Sequence, residues 1–206
     1  MEVKIEGGIL KVKHKLKRNE IYKVQVGKFS SLRIYKTPQV LKGISSYCED
    51  GKHVLFIDYD NVPKWLIEQD YKRLQEEYSL PQALVFTTKE ESDEGVLFGN
   101  YHVLSVRKFY PKQIYEILSK THADVNFMSM PLRSKFRNWT IRISTKRRKG
   151  RPKFVGIIGN PENNGNYEVS KPHIEMLKKL YPKIKIPEYP KKDNLTKCFL
   201  QEYEAS

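Results

Sequence analysis

One apolar run that ends in two aspartates constrains the fold of this 206-residue chain most. Residues Val54–Ile57 are apolar, and Asp58, Tyr59 and Asp60 follow them directly. A short apolar run without alternation is typical of a β-strand that is buried on both faces at the centre of a sheet. Successive side chains of a strand point to opposite faces, so Asp58 and Asp60 are expected to share one face.

The rest of the chain alternates strand-like and helix-like patterns. Apolar side chains recur at helical spacing from Trp65 to Tyr78, and residues 3–13 read as a hairpin that turns at Gly7-Gly8. This order mixes β-α-β units with hairpins, which favours the α+β class with a mixed or antiparallel central sheet. The further predicted elements are a strand over 21–26, a short helix near Val40–Tyr47, strands at Ala83–Thr88, Val96–Val106, Trp139–Ser144 and Phe154–Ile158, and helices from Pro111 and over Lys171–Leu180.

The length suits one sizeable core and is short for two full domains. We therefore expect a single domain in three parts: an N-terminal β-containing unit over 1–52, a core over 53–158, and a C-terminal helix and surface tail over 159–206. The sequence has neither an apolar run near the roughly 18–20 residues that span a bilayer nor an N-terminal signal-peptide pattern. A cytoplasmic protein without membrane association is the expectation.

The charge balance predicts a polyanionic partner. The chain has 38 lysines and arginines against 24 acidic residues, a formal net charge of +14. Each cation that neutralises a nucleic-acid phosphate releases a condensed counterion, so such a surplus favours nucleic-acid binding. Residues 133–139 interleave cations with aromatic rings, which is typical of single-strand binding, although Phe136 and Trp139 themselves are expected in the core. Residues 146–151 predict a mobile loop that contacts the nucleic-acid backbone, a solvated turn being the alternative.

The aspartate pair is a candidate metal site. Two carboxylates on one face repel each other unless a cation lies between them, and hard oxygen ligands suit Mg²⁺ or Mn²⁺. The alternative is that Asp58 and Asp60 only open a surface turn before Asn61 and Pro63.

A histidine in a second strand is the other candidate. His102 follows Gly99-Asn100 within a β-like stretch, and a glycine there lets backbone approach a ligand closely. The imidazole could donate hydrogen bonds to a phosphate oxygen. A structural histidine within the sheet is the alternative.

Together, an apolar strand that ends in Asp58-Tyr59-Asp60 and a later strand that carries His102 resemble the archaeo-eukaryotic primase (primase-polymerase) superfamily. The resemblance covers roughly residues 53–158. It implies that two acids and a third acid hold two divalent metal ions, and that the histidine contacts the phosphates of the incoming nucleoside triphosphate. Asp124 is the candidate for the third acid.

The same resemblance extends to phosphate contacts. Residues 139–146 are similar to a strand of that superfamily that carries basic residues, which implies that Arg142 and Lys146 meet the triphosphate or the template. Ser105 and Lys108 are further candidates for phosphate contact. The chain departs from the superfamily in having Asn100 where a small residue is usual, and it lacks a zinc-binding insert.

The resemblance implies a sheet like that of the RNA-recognition motif, with helices on one face. It also implies template-directed nucleotidyl transfer, with two Mg²⁺ or Mn²⁺ ions, for primer synthesis or gap filling in DNA replication or repair. Single-stranded DNA template and primer-template are the expected partners, with a helicase or a primase accessory subunit as a possible further one.

Two other functions fit the same residues. Residues 55–61 also resemble the first strand of NYN- or PIN-like metal-dependent nucleases, although those enzymes need further acids at later strand ends of a doubly wound sheet. The other alternative is a catalytically inactive relative that binds nucleic acid.

Overall fold

The computed structural model of the chain describes residues 3–6, 9–12, 22–26, 30–34, 40–93, 96–133, 137–145, 150–163, 167–189 and 198–204. Two compact units are present, Met1–Val40 with Glu204–Ser206, and Leu41–Tyr203. The first unit contains two antiparallel hairpins, formed by strands β1 (Val3–Glu6) and β2 (Ile9–Val12) and by strands β3 (Tyr22–Val26) and β4 (Ser30–Ile34). The hairpin that the sequence predicted over residues 3–13 is confirmed.

The second unit is built on the apolar strand that the sequence singled out. Its elements are β5 (Val40–Cys48), β6 (His53–Pro63), α1 (Lys64–Tyr78), β7 (Ala83–Asp93), β8 (Val96–Phe109), α2 (Pro111–Ser119), α3 (Val125–Met128), α4 (Met130–Arg133), β9 (Thr140–Arg142), β10 (Lys153–Ile158), α5 (Lys171–Leu180) and β11 (Cys198–Glu204).

These strands form one sheet with β6 near its middle. In the described residues the order is β10-β7-β8-β6-β5-β11, and β9 pairs with β5 as a branch. Strand β8 is antiparallel to both β6 and β7, so β6 and β7 run parallel with β8 between them. Since α1 connects β6 to β7, this part of the sheet is a split β-α-β unit. The α+β class and the antiparallel pairing are confirmed.

Helices α1 and α2 lie on one side of the sheet, which we call the α1 face. The Tyr59 hydroxyl donates to the buried carboxylate of Asp70 in α1 at 3.3 Å. The Tyr59 side of β6 therefore points toward this helix. Helix α2 is tied to α1 because the Tyr78 hydroxyl donates to Glu116 at 2.8 Å. The buried residues of α2 are Ile114, Ile117 and Leu118.

Helix α5 packs on the opposite side, which we call the α5 face. The ring of Phe56 lies 6.2 Å from that of His173 in α5, and the ring of Phe86 in β7 lies 4.7 Å from that of Tyr181. The expectation that the helices cover one face alone is therefore wrong. Strand β6 is apolar on both sides, and both sides need cover from water.

Two predictions at the borders of the core are also wrong. Residues 40–48 form strand β5 rather than a short helix, and the expected C-terminal tail contains strand β11. Gly43, Ile44 and Ser45 pair with β9, and these long-range hydrogen bonds outweigh the weak local helical pattern. Strand β5 thus joins the main sheet.

The helices are short. Helix α1, with 15 residues, is the longest in the described parts of the chain. In those parts we find no helix with both the length and the apolar surface needed to cross a bilayer.

Candidate active site

Strands β6 and β8 bring the first aspartate and the histidine together. Their antiparallel register sets Asp58 directly opposite His102. His102 Nε2 lies 3.4 Å from Asp58 Oδ1, and the two side chains are 9% and 24% exposed, respectively. Residues directly opposite each other on neighbouring strands share a face. The imidazole and the carboxylate, selected from separate parts of the sequence, therefore lie side by side on the α5 face.

A β-bulge positions the second aspartate. Between the pairs Tyr59–Tyr101 and Val62–Gly99, both Asp60 and Asn61 oppose the single residue Asn100. Asn61 has a φ of 54°, a left-handed conformation that asparagine tolerates better than most residues. Bulges recur beside functional sites because they re-aim a side chain.

The Asn100 amide holds both residues of the bulge. Its oxygen accepts a hydrogen bond from the Asn61 N–H at 3.1 Å, and its nitrogen donates to the Asp60 carboxylate. Asn100 alternates with Tyr101 and so points to the same side as His102. Asp60 is thereby held on the face that carries Asp58. Sequence reasoning noted Asn100 only as a departure from the superfamily, although its place beside a glycine in a β-strand was a signal of a bulge.

Gly99 is required by the sheet itself. A Cβ at this position would lie 2.5 Å from the Lys89 carbonyl oxygen and 2.8 Å from the Tyr101 ring. The close approach that the sequence predicted is therefore by β7 and by a neighbouring side chain.

The loop before α3 brings Asp124 beside Asp58 through the backbone. The Asp124 N–H donates to the Asp58 carbonyl at 2.8 Å. Its carboxylate caps α3, accepting the N–H groups of Asn126 at 3.2 Å and Phe127 at 3.0 Å on separate oxygens. Its Oδ1 also accepts a hydrogen bond from the Asn126 side-chain amide at 3.3 Å, so Oδ2 is the oxygen that keeps a further lone pair. In the parts of the chain that the structure describes, no three His, Cys, Asp or Glu side chains are grouped as a metal site.

The basic residue of β9 is buried and donates to backbone carbonyls. Arg142 is paired with Gly43, and its Nη1 donates to the carbonyls of Gly150, at 2.9 Å, and Ser144. Burial raises the pKa of the Tyr181 hydroxyl, and the charges of Arg151 and Arg142 partly oppose this shift.

Tyr181 also lies beside the strand partner of His102. It packs on Phe86, and Phe86 is the β7 partner of His102. The charge of Arg142 therefore acts on a tyrosine that packs against the strand partner of His102. Lys146, its predicted companion, lies outside the described residues.

Ser105 is not brought to the aspartates. It pairs with Leu55 and is 1% exposed. Alternation along β8 from His102 places Ser105 with Tyr101 and Val103 on the α1 face, opposite to Asp58.

Lys108 is also separate from the aspartates. It pairs with Val54 at the other end of β6, and its side chain is fully buried. Its Nζ contacts Glu168 at 2.9 Å and Asp50 at 3.1 Å. Burial by itself would lower the pKa of Lys108, but the hydrogen bonds to these carboxylates and their charges raise it overall. The ammonium group of the lysine that was expected to contact phosphate is thus bound to two carboxylates of the protein itself.

The aromatic residues of the basic stretch have different surroundings. Trp139 is 1% exposed and packs against Tyr115 with ring centroids 5.0 Å apart, which confirms its place in the core. Arg133 and Arg137 are exposed, while Phe136 and residues 146–149 lie outside the described part of the chain.

The donor set around Asp58 and Asp60 suits a divalent cation. Two carboxylates on one face, at the end of β6 where exposure increases, are hard ligands open to solvent on one side. The nearby imidazole can donate a hydrogen bond to an anion that accompanies the cation.

Comparison with known proteins gives no match: no protein-family model, no curated protein and no solved structure is significantly similar to this chain.

Proposed function

We propose that this protein is a template-directed nucleotidyltransferase of the primase-polymerase type. The observation that carries the proposal is the cross-strand pair of Asp58 and His102, with Asp60 held on the same face by Asn100. The resemblance noted in the sequence requires this convergence of two acids and a histidine. It would have failed had His102 pointed to the α1 face.

The topology supports the proposal as well. A split β-α-β unit, in which β8 lies between the parallel strands β6 and β7, is a feature of RNA-recognition-motif-like sheets. We propose that β6–β8 with α1 and α2 correspond to such a core. In this chain, β5 and α5 are additions to it.

The residues have distinct roles in this proposal. Asp58 and Asp60 bind divalent cation, and Asp124 joins them through the lone pair of Oδ2 that its cap of α3 leaves unused. Mg²⁺ or Mn²⁺, when bound, supplies positive charge that favours ionisation of the attacking hydroxyl and departure of pyrophosphate. His102 donates from Nε2, the ring nitrogen that faces Asp58, to a phosphate oxygen of the incoming nucleotide.

The net charge of +14 supports the binding of a nucleic-acid template. Arg133 and Arg137 are exposed in the segment that links the Asp124 loop to β9, where they can meet phosphates of a single strand. We keep Arg142 as the cation that the resemblance assigns to the triphosphate or the template. Ser105 and Lys108 have no part in the proposed site.

The nuclease alternative fits the topology less well. A NYN- or PIN-like enzyme needs a doubly wound parallel sheet with acids at several strand ends, whereas β6, β7, β8 and β10 are joined by antiparallel pairs. A relative that binds nucleic acid without catalysis keeps the same face and remains an outcome of the test.

The test is an incorporation assay with single-stranded template, labelled nucleotides and Mn²⁺. The wild-type protein should lengthen products, and Asp58→Asn and Asp60→Asn should each reduce incorporation to background with the fold retained. Glu68→Gln, an exposed acid on α1, is the matched control and should incorporate like the wild type. Shortening of the template by the wild type indicates a nuclease. Binding without lengthening or shortening indicates the inactive relative.

A further inference from the structure

A single buried carboxylate joins the two segments that carry the proposed metal ligands. Asp70, in the middle of α1, is 2% exposed. It accepts hydrogen bonds from the Tyr59 hydroxyl at 3.3 Å, from the His122 backbone N–H at 2.9 Å, and from His122 Nδ1 at 3.1 Å. Arg73 donates to its other oxygen at 3.0 Å. A buried charge needs such a set of donors to offset its lost hydration.

The partners of Asp70 are adjacent to the site. Tyr59 lies between Asp58 and Asp60 on β6, and His122 precedes Asp124 by two residues. The side chain of Tyr59 points to the α1 face while its neighbours point to the α5 face. Asp70 therefore contacts β6 from the face opposite to the proposed metal ligands. His122 is 56% exposed, so its ring is held mainly by the carboxylate.

The contacts form a closed path. Asp70 binds Tyr59 and His122, the chain leads from His122 to Asp124, and the Asp124 N–H returns to the carbonyl of Asp58. The backbone of the His122–Asp124 loop is thus held at two points two residues apart, by Asp70 of α1 and by Asp58 of β6. Without the Asp70 contacts, only one of these backbone attachments remains.

We propose that Asp70 is a positioning residue of the metal site, which sets the distance between the β6 aspartates and Asp124 by holding Tyr59 and the His122 loop at once. This inference rests on the proposed function for the identity of the ligand. The attachment of the loop itself can be measured without any ligand. Groups that orient metal ligands typically change metal affinity by about 10–100-fold when they are removed.

Helix α1 also offers a matched control. Gln75 is 4% exposed, and it too binds backbone of a distant loop: it accepts the Asn160 N–H and donates to the Leu80 and Asn160 carbonyls. Neither Leu80 nor Asn160 is adjacent to a proposed ligand. Asp70→Asn and Gln75→Leu therefore disturb the same helix at similar burial, but only Asp70→Asn affects the Asp124 loop.

The first measurement is amide hydrogen exchange of the full chain without metal. In Asp70→Asn, the Asp124 amide should exchange faster while the Asn160 amide stays protected. In Gln75→Leu, the Asn160 amide should exchange faster while the Asp124 amide stays protected. An unchanged Asp124 amide in Asp70→Asn overturns the inference.

The second measurement is Mn²⁺ binding by calorimetry. We expect about 10–100-fold weaker binding in Asp70→Asn and unchanged binding in Gln75→Leu. His122→Ala removes the imidazole of this exposed residue but keeps its backbone contact with Asp70, so it should weaken Mn²⁺ binding less than Asp70→Asn does. This variant tests the inference if Asp70→Asn does not fold. Equal Mn²⁺ affinity of Asp70→Asn and wild type overturns the inference. Absence of Mn²⁺ binding by the wild type, with the exchange pattern as expected, overturns the proposed function and leaves the positioning of Asp124 by Asp70 standing.

Discussion

Lys108, which is buried at the far end of β8, allows a test that separates an effect on stability from an effect on function. Lys108→Met removes a charge that contacts Asp50 at 3.1 Å and Glu168 at 2.9 Å while keeping most of the side-chain volume. The sequence resemblance implied that Lys108 contacts phosphate, whereas its side chain is fully buried against these two acids. We therefore expect the substitution to reduce stability and to leave the activity of each folded molecule unchanged.

The magnitude follows from the surroundings of the two acids. Removing one partner of a buried ion pair costs about 3–5 kcal/mol. Asp50 and Glu168 keep 29% and 31% of their side chains exposed and can recruit water, and Lys52 remains in contact with Glu168. The expected loss in unfolding free energy is therefore lower, about 2–3 kcal/mol.

The loss should also depend on pH. Burial by itself would raise the pKa values of Asp50 and Glu168, but hydrogen bonds from lysines, to which Lys108 contributes at both acids, lower them overall. A carboxylate with a lowered folded-state pKa contributes stability at neutral pH, and that contribution is lost as the pH falls through the folded-state pKa. The difference in unfolding free energy between wild type and Lys108→Met should thus shrink in acid.

Urea unfolding followed by tryptophan fluorescence measures this difference, since Trp139 is buried in the same unit. With a slope of about 2–3 kcal/mol per molar urea, the midpoint should fall by about 1 M. Lys112→Met, an exposed lysine on α2, is the control and should unfold like the wild type. A Lys108→Met protein with wild-type stability and reduced nucleotide incorporation would refute the reasoning.

Further predictions concern the bulge, the glycine beside it and a buried histidine. Asn100→Ala should reduce nucleotide incorporation about tenfold with little loss of stability, because it releases the carboxylate of Asp60 from a position that the fold otherwise keeps; equal incorporation would contradict the role of the amide. Gly99→Ala should lower the thermal midpoint because its Cβ would meet a β7 carbonyl oxygen at 2.5 Å, whereas Gly150→Ala, with nothing within 4 Å, should be tolerated. Burial lowers the pKa of His173 from 6.5 to about 4, so its contribution to stability is fully present above pH 6.5 and is lost as the pH falls toward 4, at up to about 1.4 kcal/mol per pH unit. His173→Gln should flatten the pH dependence of urea unfolding in this range, and an unchanged slope would contradict this assignment.

The pattern of the sequence predicted the main elements of the core well. Strand β6, helix α1 and helix α5 lie where the apolar periodicity placed them. These predictions succeed because the period of a strand or a helix is a local property of the chain. Strand β5 was missed because its pairing with β9 depends on residues almost a hundred positions away.

For the candidate site, too, local features could be predicted from the sequence and long-range contacts could not. The sequence by itself determined that Asp58 and Asp60 alternate around Tyr59 at the end of a buried strand, since this follows from backbone geometry alone. It also determined the strong positive charge.

Only the tertiary structure decided which distant residues meet that strand. The register of β6 and β8 sets His102 against Asp58, and the bulge brings the Asn100 amide to the Asp60 carboxylate. Register depends on bulges and on packing across the whole sheet, and a displacement by one residue reverses the face of every side chain. Local sequence patterns do not contain that information.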